Sequence, residues 1–194
     1  MTAIRELREH MIKNVDIAPL AMFRVLFGGL MFIATIRFAA NGWINELYVE
    51  PPYLFSYFGF EWLPRPSELW AYILFLITAC SSLMVCLGVK YRWAIVAFFL
   101  SFTYIELLDL SNYLNHYYFV SVVAFAMMFL PAANAFSLDA RKDGARRKAP
   151  RFLVYSPHAF LGVVYVFAGI AKINSDWLLD AMPLMIWLPQ YADF

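Results

Sequence analysis

Apolar residues run along this chain in long stretches separated by short polar ones. A helix that crosses a bilayer needs ~20 mostly apolar residues, within a range of ~17–25. Five stretches meet or approach that length: Ile17–Ala40, Glu68–Val89, Trp93–Leu108, His116–Leu130 and Phe152–Lys172, the third and fourth being short. They predict about five transmembrane helices. A last apolar segment, Trp177–Leu188, is too short to span and reads as re-entrant, interfacial or the start of a sixth helix. Ahead of the first run, "MTAIRELREHMIKNVD" interleaves charged and apolar residues and predicts an amphipathic helix over residues 1–16, lying on the membrane surface. Residues 17–194 read as one transmembrane bundle with no internal repeat or second domain. The fold class is therefore all-α and integral to a membrane, with lipid as its first partner.

Charge orients the bundle. Short cytoplasmic loops carry an excess of Lys and Arg. Arg5, Arg8 and Lys13 precede the first run, and Lys90 and Arg92 follow the second. Arg141, Lys142, Arg146, Arg147, Lys148 and Arg151 follow the fourth. The intervening loops are poor in cations: Asn41–Ser67 has only Arg65 beside Glu46, Glu50 and Glu61, and Asp109–Asn115 has none. The alternation predicts a cytoplasmic N-terminus. It also places "LDLSNYLNH" and "AKINSD" together on the opposite, outer face.

Composition agrees and narrows the partners. The 194 residues are 63% hydrophobic and 19% aromatic, above the roughly half-apolar composition of soluble domains. A net charge of +1 gives no reason to expect nucleic acid. Cys80 and Cys86 share one apolar run, and on a helix they lie ~9 Å apart along the axis, too far for a disulfide. His10 and His158 fall on the cytoplasmic side, and His116 on the outer one, so the histidines cannot form a zinc site and no metal is expected.

Ionisable residues at membrane depth are costly and point to function. Arg24, in "FRVLFGG", either reaches the cytoplasmic headgroups or needs an acidic or carbonyl partner. Gly28 and Gly29 after it let a neighbouring helix approach closely. Arg37 lies near the outer end of the same run, at the depth of Glu106 and Asp109, so an Arg37–Glu106 or Arg37–Asp109 pair is expected. Such acids fix packing, hold a proton or orient a substrate. His116 opens the fourth run, and His158 opens the fifth behind Ser156 and Pro157. Lys172, after "VFAGIA", is either an interfacial anchor or a base. A helix C-terminus favours its ammonium form, whereas burial in an apolar bundle favours the neutral amine, and only the amine accepts a proton.

Four motifs in order, "DIAPLAMFRVLFGGLM", "LLDLSNYLNHYYFVSVVAF", "FSLDA" and "VVYVFAGIAKINSDWL", resemble the membrane half of vitamin K-dependent gamma-glutamyl carboxylase. They also resemble the wider HTTM (horizontally transferred transmembrane) family of bacterial relatives. The resemblance runs from about Asp16 to the C-terminus, and the spacings Asp109–His116 and Lys172–Trp177 follow the family without gaps. It implies a carbon–carbon bond-forming carboxylase whose cofactor is a reduced vitamin K or menaquinone-type hydroquinone. The lysine matching Lys172 deprotonates that hydroquinone, and reaction with O₂ yields a strong base. That base removes a gamma-proton from a peptide glutamate, and the carbanion adds CO₂. The residue matching His116 stabilises intermediates, and the one matching Asn115 lies beside the quinone. Catalytic roles are thus expected for Lys172 and His116, and substrate or quinone contacts for Asn115, Arg24, Arg37, Glu106 and Asp109. The implied partner is a secreted peptide or protein, and the implied location a bacterial inner membrane.

The carboxylase usually has a second lysine before the base, where this chain has Ala171. The chain ends at "PLMIWLPQYADF", without the family's later membrane segments and luminal domain. It reads as a fragment or as a minimal membrane module with another substrate. Two rival readings stand beside the enzyme. One is a non-catalytic HTTM protein that serves peptide or toxin maturation or binds a partner. The other is a DoxX-like quinone-linked redox protein.

Overall fold

The computed structural model describes residues 2–188. Helix α1 (Thr2–Ile12) carries Ile4, Leu7 and Met11 exposed along one side. The amphipathic pattern extends helix to residue 16, but the helix stops at Ile12 and Asn14–Asp16 forms strand β1. The cause is a partner far along the chain. β1 pairs antiparallel with β2 (Lys148–Pro150), Val15 opposite Ala149. The Ile17 and Arg151 amides extend the ladder to the carbonyls of Arg147 and Lys13. Asp16 then accepts the Ala18 amide at 2.7 Å and starts α2 (Ala18–Ala40).

The long helices follow the apolar runs to within a few residues. Ser67 caps α3 (Glu68–Leu87) by accepting the Trp70 amide, and Glu68 sits favourably in its first turn. Gly88 closes α3 at φ +65°, a conformation natural to glycine. Helix α4 spans Tyr91–Leu107 and α5 spans Asn115–Met127, and short α6 covers Leu138–Asp143. Helix α7 runs from Arg151 to Ala171. His158 lies inside α7, not at its start, because Pro157 is accommodated within the helix. A membrane-type helix tolerates proline where other groups satisfy the freed backbone. Helices α8 (Ser175–Leu178) and α9 (Met182–Trp187) replace the last apolar segment.

α2, α3 and α7 are long and apolar enough to cross a membrane. α4 and α5, with 17 and 13 residues, are shorter. Among the described residues the regular structure is helical apart from the three-residue strand pair.

The chain divides into two compact units, Met1–Val154 and Tyr155–Phe194. In the first, α2 packs on α3, α3 on α4 and α4 on α5. Each pair is antiparallel. Phe38 stacks on Phe75, a hydrogen bond of 2.9 Å joins the Thr78 and Ser101 hydroxyls, and Thr103 donates to Ser121. One core cluster, around Leu20, Val85, Ile95, Phe98 and Met127, fills the end that bears the basic loops. A second, around Ile44, Tyr48, Phe75, Ile105 and Leu108, fills the other end.

Contacts within this unit gather the basic segments. β1 ties the N-terminal segment to the fourth loop. Asp139 of α6 accepts the amides of Lys90 and Tyr91, both at 3.0 Å, which ties the fourth loop to the second. Opposite them, the Phe55 amide donates to Asp109 and the Leu110 amide to the Phe55 carbonyl, joining the first and third loops.

Candidate functional site

At the end away from the basic loops, the first unit encloses a cavity of about 70 Å³. Its walls come from well-separated segments. Phe38 of α2 and Phe75 of α3 stack with centroids 5.1 Å apart and planes at 14°, and Tyr48, on a π-helical turn over Asn45–Val49, leans on Phe75 at 5.7 Å. On the α4 side Phe102 meets the edge of Tyr117 at 6.0 Å.

The polar groups are few. Thr35 and Thr78 donate to the carbonyls one turn before them, Met31 and Leu74, so their hydroxyls are engaged. Tyr48 is buried, and its hydroxyl makes no hydrogen bond among the described residues. Burial first, then Tyr117, Asp109 and Glu106 nearby, raises the pKa of this phenol well above its ordinary value, so it remains an O–H donor. Burial, Glu106, Tyr113 and Asp109 raise Tyr57 in the same direction. Glu106 reaches the cavity from α4. Its Oε2 accepts from Ser121 of α5, and Ser121 in turn accepts from Thr103 at 3.2 Å.

Glu106 also borders an open groove of about 410 Å³ along α4 and α5, walled by Phe99, Val122 and Phe125 and flanked by Tyr57 and Phe60 of the first loop. The carboxyl group thus stands where this cavity meets an apolar groove.

The remaining candidates lie elsewhere. Arg24 is fully buried at the basic end. It donates to the carbonyls of Val85 (2.8 Å), Cys86 (3.0 Å) and Phe136 (2.5 Å), so its partner is carbonyl and not a headgroup. Arg37 forms neither expected ion pair. It lies two residues beyond buried Thr35, roughly 200° around the helix, so it is exposed and sits 5.7 Å from the Trp43 ring. Asp109 is spent on the amides of Phe55 and Ser111 and the Asn112 side chain. Asn112, Tyr113, Leu114 and Tyr117 line the cavity, whereas Asn115 and His116 between them are exposed and do not. His116 rests 4.6 Å from the Tyr117 ring.

Lys172 belongs to the second unit, while Asn115 and His116 belong to the first. Lys172 is exposed, with Nζ 5.1 Å from the centroid of the Trp177 ring. Asn174 builds that turn. Its Nδ2 donates to the Ala171 carbonyl at 2.9 Å, closing α7, and its Oδ1 accepts the Trp177 amide at 3.0 Å, opening α8.

The HTTM domain family matches residues 12–194. This chain is a member of the HTTM domain family. No solved structure matches it. Two motifs of this HTTM chain now have a physical basis. In "FSLDA", Ser137 caps α6 and Asp139 caps α4 across the bundle, while Phe136, at φ +50°, turns its carbonyl to Arg24. In "AKINSDW", Asn174 fixes the turn that holds Lys172 against Trp177. The sequence reasoning missed Tyr48 and Tyr57; the signal that could have found them is the density of aromatic residues in the loop they share, Asn41–Ser67.

Proposed function

We propose that this HTTM chain is a carboxylase-like membrane module that uses a reduced vitamin K or menaquinone-type quinone, O₂ and CO₂ to carboxylate glutamate in a secreted peptide. The observation that carries the proposal is the apolar, aromatic-lined cavity whose wall holds buried Tyr48, three further tyrosines and the Glu106 carboxyl group. Its aromatic lining suits a quinone headgroup, with the Tyr48 hydroxyl and the Glu106 carboxyl as the polar groups to meet its oxygens. The adjoining groove fits the hydrocarbon chain such a molecule carries. A bound reduced quinone would supply, on reaction with O₂, the strong base that the carboxylation needs. The protein's own residues bind the ring, exclude water with Phe38, Phe75 and Phe102, and move protons. Lys172 is the proposed proton acceptor, and His116 and Asn115 carry the roles the resemblance implies for them, stabilising intermediates and contacting the quinone. In this reading α4 and α5 complete five spans, the N-terminus is cytoplasmic and the protein resides in a bacterial inner membrane.

The test is incorporation of labelled CO₂ into a glutamate-containing peptide by membranes holding the protein, with a reduced menaquinone-type quinone and O₂. Lys172→Ala should lower incorporation at least about 100-fold. A small amine should partly restore it, increasingly at higher pH as more of that amine is neutral. Lys172→Arg should stay inactive, because guanidinium keeps its proton. The Lys172–Trp177 contact favours a second reading, a cation anchored at the membrane interface. Full activity of Lys172→Arg would support the anchor and remove the base.

A further inference from the structure

At the basic end of the first unit an open groove of about 630 Å³ runs between the first half of α2, the end of α3 and short α6. Val25, Leu87, Phe136 and Leu138 make its walls apolar, and Arg141 is the one charged residue among those that line it. Met22 and Leu26, beside Val25 on α2, are exposed. The groove therefore opens on the side that a spanning α2 turns to lipid. Its walls are fixed from within, because the carbonyls of Cys86 and Phe136 accept from buried Arg24. Ser137 caps α6, and Asp139 ties α6 to the amides of Lys90 and Tyr91. Most acids at this end are already engaged. Asp16 and Asp139 accept backbone amides, and Glu9 pairs with Arg5. Asp143 borders a separate hollow with Arg92 and Arg146. Arg141 forms no ion pair among the described residues. Lys142, Arg147 and Lys148 of the same loop are exposed as well.

We infer that this groove binds one anionic phospholipid, with an acyl chain along the apolar walls and the phosphate on Arg141. A guanidinium presents a fork that matches two phosphate oxygens. A free phosphate would meet that charge but leave the apolar walls bare to water. A zwitterionic lipid would cover the walls but bring its own cation into a field that is already positive. The bound lipid joins α2 and α3 to α6 from outside, over the same contact that Arg24 makes from within. The inference involves neither the aromatic cavity nor the carboxylation step.

The experiment offers the purified full chain, in a neutral detergent, equal amounts of phosphatidylglycerol and phosphatidylcholine with the same acyl chains. Native mass spectrometry reads which lipid stays bound. Wild type should retain one phosphatidylglycerol and prefer it by about tenfold, the worth of a hydrogen bond between charged groups. Arg141→Gln should bring that ratio close to one. Lys142→Gln removes the same charge from the same helix but lies outside the groove, and it should leave the ratio nearly unchanged. Leu138→Asn, in the apolar wall, should weaken both lipids alike. Millimolar inorganic phosphate should not displace the lipid. Thermal unfolding of each variant identifies any that fails to fold. If Arg141→Gln is one, Arg141→Lys takes its place, keeping the charge without the fork and so a reduced preference. Equal losses in Arg141→Gln and Lys142→Gln would reveal a diffuse attraction to the basic loops and overturn the site. So would equal binding of the two lipids by wild type, binding of neither, or displacement by phosphate, which would reduce the groove to a plain anion site.

Discussion

Arg24 has the largest fully buried side chain among the described residues. Burying a charge is tolerated when every nearby group is its complement, and here three carbonyls converge on one guanidinium. Two of them, Val85 and Cys86, belong to the last turn of α3, where a cation also meets the negative end of the helix dipole. The third, Phe136, brings the fourth loop to the same point. Gly88 makes room: a Cβ there would lie 2.3 Å from Arg24 Nη1 and 2.2 Å from Ser137 Cβ. Arg24→Lys offers one point charge where a planar fork spans three acceptors. It should cost about 2 kcal/mol or more. Thermal unfolding in detergent should show a midpoint about 4–8 °C lower. Arg24→Ala should cost more, since it leaves buried carbonyls unpaired.

At the scale of elements, the approach of α2 to α3 is decided at a single glycine. A Cβ on Gly28 would lie 2.4 Å from the Cys86 nitrogen and 2.7 Å from the Ser82 carbonyl oxygen, both backbone atoms that cannot yield without separating the helices. On Gly29 the nearest atom is the Cys86 sulfur at 3.6 Å, an ordinary contact. Gly28→Ala should therefore destabilise by about 1–3 kcal/mol, and Gly29→Ala should be close to neutral. Equal unfolding midpoints for the two variants would show that the helices are not in contact there. The same pair of helices carries one wall of the cavity, Phe38 on Phe75. Gly28→Ala should accordingly also weaken ring binding, although Gly28 lies some ten residues from Phe38 along α2.

For the whole molecule, the contacts within the first unit collect the basic segments at one end and join the acidic first loop to the third at the other. With the basic end cytoplasmic, a cysteine replacing Arg146 in a background lacking Cys80 and Cys86 should resist a membrane-impermeant thiol reagent in intact cells. One replacing Phe58, which is 99% exposed at the other end, should react. Reversed labelling would invert the orientation and place the Glu106 cavity on the cytoplasmic side.

The sequence by itself determined the apolar helices and the sharing of loops by charge, because each rests on some twenty consecutive residues or on short-range spacing. The Gly28–Gly29 pair as a place of close approach was also legible, whereas for Arg24 the sequence left headgroup, acidic and carbonyl partners open and the structure chose carbonyls. Three things were not. β1 needs β2, more than a hundred residues later, so a local pattern read it as helix. Arg37 was matched to Glu106 and Asp109 by depth alone, but a helix has a face as well as a depth, and Arg37 lies on the other one. The cavity is space left between packed side chains from α2, α3, α4, α5 and two loops. Its existence depends on how those segments pack, so only the tertiary structure could bring Tyr48 and Glu106 to it.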